Sequence, residues 1–370
     1  MSSETVSLKK KKDGLGWIVW LKGWAYVLQE IFLQRIMASH LHNPFPLPSL
    51  NHLTCIVTGS SSGIGSETTR QLAEAGAHVV MAVRNIKVAH ELIQQWQTKW
   101  FASGKGLPLN IQVMELDLLS LDSVVRFSNA WNARLAPLHN AGMFTMGGTQ
   151  KFSKDGNEEH LQVNHLAPAL LSLLLLPSLI RASQSRIIYV NSVMHYIGFV
   201  DPNDLNVVSG KRKFSSLIGY SSSKLAQVMF NNVLSKRLPL ETGISVVCLS
   251  PGVVHTNITR DLPRVIQHLY SALPYFIYSP QEGCRSSLFS ATDSQIPKYC
   301  EKLKTDNKFV CAFISQNCQP TSSSEEAQDI ETSNKVWEKT LELIGLPLDA
   351  LEKLIQGEQV QCRYGIIHKQ

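Results

Sequence analysis

Three side chains in this sequence are placed to handle a proton together. Tyr220-Ser-Ser-Ser-Lys224 opens a predicted helix and sets a phenol and an ammonium four positions apart, on one face and a turn from each other. A free tyrosine has a pKa of about 10. A nearby ammonium favours the phenolate, which makes Tyr220 a usable proton donor and acceptor nearer neutral pH. Ser192 stands 28 positions upstream, just past an apolar run at residues 186–190 that reads as a strand. Active sites of parallel sheets gather at the carboxyl ends of strands, where Ser192 would lie. A tyrosine and a lysine at this spacing also occur on ordinary solvated helix faces. Together with Ser192 and a glycine turn early in the chain, they point to catalysis.

That turn follows the apolar run Cys55-Ile56-Val57, of the kind that fills a strand buried on both faces. Residues 58–65 read Thr-Gly-Ser-Ser-Ser-Gly-Ile-Gly, and a helix is predicted over 66–75. Without Cβ atoms, glycines allow a tight turn, and the N–H groups of the helix start can approach a pyrophosphate. A strand, a glycine turn and a helix in this order are the setting a dinucleotide-binding pattern requires.

The elements that must position these groups alternate. Strands are predicted at residues 77–83, 111–116, 186–190 and 244–249, and helices at 86–100, 120–133, 166–180, 220–238 and 331–344. Strand–helix alternation implies right-handed crossovers and an α/β fold with a doubly wound parallel sheet. Three segments are expected: a basic tail, aromatic-rich helix and proline linker over 1–50, a dinucleotide-binding domain over 51–350, and a C-terminal tail over 351–370.

Composition bounds the rest. The chain has 370 residues, 44% hydrophobic and 17% charged, which suits a large core and excludes global disorder. Net charge is +6, but part of it sits in Lys9–Lys12, and basic and aromatic residues do not interleave, so nucleic acid is not an expected partner. Seven cysteines include no C-x-x-C pair and read as free thiols in a reducing compartment, Cys311 with Cys318 being the one pairing considered. Residues 14–41 crowd tryptophans and aliphatics, interrupted by Lys22, Glu30 and Arg35. No uninterrupted apolar span of about 20 residues is present, so a transmembrane helix is not expected. The stretch suits either an interfacial membrane helix or a helix packed on the domain itself. An intracellular protein is expected, cytoplasmic or peripherally attached to an internal membrane.

The ordered set of the glycine turn, Asp117-Leu118, Asn140-Ala141-Gly142, Asn164, Ser192, Tyr220/Lys224 and Pro251-Gly252 resembles the short-chain dehydrogenase/reductase family, in its retinol-dehydrogenase-like branch. The resemblance implies roles. Gly59, Ser61, Gly63, Ile64 and Gly65 would hold the pyrophosphate, Asp117 and Leu118 the adenine, and Asn140, Ala141 and Gly142 would line the cofactor cleft. Asn164 would keep the active-site helix in place and anchor a water in the proton relay. Ser192 would hydrogen-bond the substrate oxygen, Tyr220 would transfer its proton, and Lys224 would bind the nicotinamide ribose. Pro251, Gly252, Val253 and Thr256 would fix the nicotinamide carboxamide. An acid after the second strand would suit the ribose of NAD, whereas Arg84 suits the 2′-phosphate of NADP. The expected activity is NADP-dependent hydride transfer at the hydroxyl or carbonyl of an apolar small molecule. Oligomerisation is left open.

One departure stands against that expectation. Family members have an aliphatic strand leading into a doubled Asn-Asn-Ala-Gly, but here only Arg-Leu-Ala-Pro-Leu-His precedes Asn140. A strand rises roughly 3.3 Å per residue, so losing about four residues removes roughly 13 Å of ladder. Pro137 also lacks the N–H that a central strand donates. The rival expectation is therefore a non-catalytic, cofactor-binding interaction protein, or an inactive variant.

Overall fold

Cys55 and Val57 point to one side of their strand and Ile56 to the other, and all three are buried. An aliphatic run without polar alternation demands such burial on both faces. The computed structural model describes residues 17–132, 149–182, 184–255 and 277–365. In chain order these form α1 (Trp17–Met37), β1 (Thr54–Thr58), α2 (Gly63–Glu74), β2 (His78–Val83), α3 (Ile86–Ala102), β3 (Ile111–Glu115) and α4 (Leu121–Asn132). A π-turn, Gln162–Leu166, then leads into α5 (Ala167–Leu174), α6 (Leu176–Arg181), β4 (Arg186–Val190), α7 (Ser216–Arg237) and β5 (Ser245–Leu249). After these come α8 (Arg285–Thr292), α9 (Gln295–Thr305), β6 (Ala312–Ile314), α10 (Ile330–Leu343) and α11 (Ala350–Ile355).

Among the described residues every pair of these strands is parallel. Thr54 lies opposite His78, Val79 opposite Ile111, Arg186 opposite Ser245, and Val247 opposite Ala312. The pairs build two triplets, β3-β2-β1 and β4-β5-β6. Among the described residues β1 pairs with β2 alone and β4 with β5 alone. The triplets nevertheless share both layers of core. Cys55 and Val57 belong to one cluster with Ile188 and Val247, and Ile56 to another with Ile187 and Tyr189. This is the Rossmann-like α/β arrangement, with helices on both sides of parallel strands. The strand expected to be shortened before Asn140 falls in residues 133–148, outside the described residues. So do Asn140, Ala141, Gly142 and Thr256.

The structure corrects several expectations. The helix expected over 166–180 is two helices, interrupted at Leu175 before Pro177, which lacks the N–H an unbroken helix would use. It is entered through the π-turn rather than a straight start. Tyr220 does not open its helix, because α7 begins a turn earlier at Ser216, where the Ser215 hydroxyl accepts from Ile218 N–H at 3.2 Å. All seven cysteines are free, and Cys311 lies beside Cys248 rather than paired to Cys318, with 3.7 Å between the sulfurs. Beyond α10, Leu351 and Leu354 of α11 are packed into the core.

α1 packs on the domain. Tyr26 stacks on Tyr196 at 4.6 Å between ring centroids, and Val27 joins Val193 and Ile197 in a small apolar cluster. No helix among the described residues is long and apolar enough to cross a membrane.

Candidate active site

α7 presents Tyr220 and Lys224 from its buried face, both under 10% exposed. A buried ammonium needs partners, and Lys224 Nζ donates to the carbonyl of Val190, the last residue of β4, at 2.8 Å. The same ammonium lies 5.8 Å from the centroid of the Tyr220 ring. Burial pushes the Lys224 pKa down to about 8. The Tyr220 and Ser192 hydroxyls are hydrogen-bonded. Thus the serine, tyrosine and lysine picked out by spacing do converge at the carboxyl end of β4.

The electrostatics differ from the expectation. Burial dominates and pushes the Tyr220 pKa up to about 12, with the Ser192 bond pulling it down and the Glu30 carboxyl pushing it further up. The ammonium does not bring the phenol toward neutrality here, because it is directed at the Val190 carbonyl and the ring is out of water.

A polar network fixes these groups. Asn164 sits fully buried in the π-turn, whose wider winding marks many functional sites. Its Nδ2 donates to Ser223 Oγ at 2.9 Å, and its carbonyl accepts from Gln227 Nε2 at 2.5 Å. Asn191 Nδ2 donates to the Lys224 carbonyl at 2.8 Å and to Gln227 Oε1 at 2.9 Å. Asn191 Oδ1 accepts from Ser192 N–H at 2.8 Å. Asn164 is thus hydrogen-bonded to two residues of α7, Ser223 and Gln227. The reading from residues missed Gln227 and gave Asn191 no role, although Gln227 stands three positions after Lys224 on the same helix face.

The glycine turn ends β1 at the same end of the sheet. Gly59 and Gly63 adopt φ of 62° and 55°, left-handed values that glycine alone tolerates readily. α2 starts at Gly63, with Gly65 buried and Ser61 and Ile64 half-buried. The Ser60 hydroxyl is buried without a partner in the protein, an orphaned group that a phosphate oxygen would satisfy. The turn thus fits a dinucleotide pyrophosphate. Arg84 is exposed just past β2. Past β3, Asp117 Oδ1 accepts from Leu119 N–H at 3.1 Å, and Leu118 packs against the core. Pro251, Gly252 and Val253 follow β5, Gly252 with φ of 82°. His195 is satisfied by the Ser192 carbonyl and Ser324 N–H.

Two further polar groups reach this end of the sheet from α1: Glu30, which reads in the sequence as an interruption of an apolar stretch, and Gln34. Ser250 Oγ donates to Glu30 Oε1 at 2.8 Å, and burial pushes the Glu30 carboxyl up to about 7. Gln34 is fully buried against Val253.

A parallel sheet with a glycine turn after its first strand, and a serine, tyrosine and lysine past a later one, defines a dinucleotide-dependent oxidoreductase. Comparison with known proteins agrees. The short chain dehydrogenase family profile matches residues 53–201. The chain is 70% identical to the Dehydrogenase/reductase SDR family member FEY of Arabidopsis thaliana over the full length of both. That alignment runs over 378 positions, so the relative carries at least eight without a counterpart among the 370 residues here. The chain is also 30% identical to Retinol dehydrogenase 11 of Mus musculus, covering 80% of this chain and 87% of that one. A solved structure of an uncharacterized protein from Mycobacterium Paratuberculosis superposes with a TM-score of 0.61 at 28% identity, covering 80% of this chain and 95% of that one. This chain belongs to the short-chain dehydrogenase/reductase family.

Proposed function

We propose that the protein transfers a hydride between NADP and the hydroxyl or carbonyl of an apolar small molecule of the retinol or steroid class. The observation that carries this is the Ser192–Tyr220 hydroxyl pair with the Lys224 ammonium beside it. A bound nicotinamide supplies or takes up the hydride. Ser192 hydrogen-bonds the substrate oxygen, and Tyr220 gives that oxygen a proton in reduction or removes one in oxidation. Lys224 keeps a positive charge beside the phenol and binds the nicotinamide ribose. Asn164 holds α7 and anchors a water of the proton relay. The retinol dehydrogenase relatives support the substrate class. Oxidation of NADPH with a panel of apolar aldehydes and ketones tests the activity, with Tyr220→Phe in parallel.

Arg84 favours NADP, since its guanidinium matches a phosphate and no acid stands beside it to bind a ribose hydroxyl. The protein is expected to bind NADPH more tightly than NADH, and Arg84→Asp to reverse the order. Equal affinities in the parent would defeat the assignment.

The outward side of α1 favours peripheral contact with a membrane surface. Ile18, Leu21, Leu28, Phe32 and Ile36 are all exposed there, and Lys9–Lys12 precede the helix. Sedimentation with anionic phospholipid vesicles should carry the protein down, and alkaline carbonate should release it. Retention through the carbonate wash, or no binding, would exclude a peripheral helix.

The second reading, a cofactor-binding protein without activity, is favoured by the sequence before Asn140, where Arg-Leu-Ala-Pro-Leu-His stands in place of an aliphatic run. Binding of NADPH without turnover of any carbonyl in the panel would support it.

A further inference from the structure

Gln34 makes an unusual contact for a residue of a helix that packs on a domain from outside. Its side-chain carboxamide pairs at two points with one residue of the site. Val253 N–H donates to Gln34 Oε1 at 2.9 Å, and Gln34 Nε2 donates to the Val253 carbonyl at 3.2 Å. The approach is close enough that a Cβ on Gly252 would stand 2.7 Å from Gln34 Oε1. The Tyr278 hydroxyl holds the helix from the other side, donating to the Gln34 carbonyl at 2.5 Å.

A primary carboxamide that donates and accepts is also what a nicotinamide ring carries. One peptide edge cannot pair with two such groups at once. We propose that Gln34 occupies, from within the chain, the carboxamide position of the dinucleotide, so that docking of α1 and binding of the cofactor exclude one another. The proposal rests on reading the site as that of a dinucleotide-dependent oxidoreductase and adds its regulation.

Other contacts of α1 reach further groups of the site. Glu30, one turn before Gln34, is bonded to Ser250 and acts electrostatically on Tyr220. Ala38, just past the helix, clusters with Val254 and Tyr278, and Ile64 of the glycine turn packs against that cluster. α1 and the residue after it thus reach from the proton-transfer groups to the phosphate turn. The anchor outside the cleft is Arg35, which donates to Glu282 Oε1 at 2.8 Å and to the Ile277 carbonyl at 2.9 Å.

The test uses the full chain, with NADPH and NADH as probes. Hydrogen exchange of residues 24–38 is measured with and without saturating NADPH, and NADPH affinity is measured for the parent, Gln34→Ala and Arg35→Ala. Exchange should quicken when NADPH binds. Gln34→Ala, which removes two hydrogen bonds to the docked helix, should tighten NADPH binding about tenfold. Arg35→Ala loosens the helix without touching the cleft, and should tighten it in the same direction. If NADPH binds while exchange over 24–38 stays unchanged or slows, α1 is a fixed wall and the proposal is overturned, even where a variant fails to fold. Equal or weaker NADPH affinity in variants that melt with the parent also overturns it. If neither NADPH nor NADH binds any of the three proteins, the dinucleotide reading itself fails, and this proposal with it.

Discussion

Tyr220→Phe is expected to lower turnover by about a hundred- to ten-thousand-fold, the range of a positioned general acid or base. The substitution keeps the ring that α7 buries and removes only the hydroxyl bonded to Ser192. NADPH affinity should therefore stay within a few-fold of the parent, and melting should shift little, since one hydrogen bond contributes about 1 kcal/mol. Loss of turnover with retained binding is the signature of a group that acts on the reacting oxygen. Retained turnover in Tyr220→Phe would show that the proton moves through another residue. The high pKa of the phenol belongs to the protein with α1 docked, where burial and the Glu30 carboxyl hold Tyr220 protonated.

The second large effect concerns the sequence before Asn140, which lacks the aliphatic run that the family resemblance implies. β1 and β4 share both core layers yet, among the described residues, each pairs on one side only. An unsatisfied buried backbone group costs about 1–3 kcal/mol, while a whole domain is stable by only about 5–15 kcal/mol. If the short, proline-bearing sequence before Asn140 leaves β1 without a neighbour, completing that run should therefore be felt throughout the fold. Inserting Val-Leu-Ile-Asn between His139 and Asn140 is expected to raise the melting temperature and NADPH affinity together. Scanning calorimetry and cofactor titration on the same preparation read both. A fall in both would mean that residues 133–148 already complete the sheet in their own way.

Much of the fold could be read from local pattern. Aliphatic runs bounded by glycine and polar residues marked β1, β2, β4 and β5 to within a residue, because burial on both faces leaves no polar alternation. Ser192, Tyr220 and Lys224 were legible because their spacing is fixed by one helix and one strand end. β6 was missed, since three residues, Ala312–Ile314, carry no period. The docking of α1 was not legible because Gln34 and its partner Val253 are 219 positions apart. Before that contact is known, Glu30 and Gln34 are merely polar residues in an apolar helix. The Tyr220 pKa was misjudged for the same reason, since desolvation is a property of the assembled fold and not of a four-residue spacing.

Residues 38–53 join α1 to β1, and Leu47 and Leu50 of that stretch are themselves packed against the core. A competitor on so short a leash cannot be diluted away. Its effective concentration is set by the tether, of millimolar order for short flexible linkers, and is the same at any protein concentration. With the helix away in about one molecule in a hundred, the whole chain would bind its cofactor about a hundredfold more weakly than the open cleft does. The level of dinucleotide at which the protein switches on is then written into a helix and its leash, and substitutions in residues 38–53 would reset it without altering a single group that touches substrate.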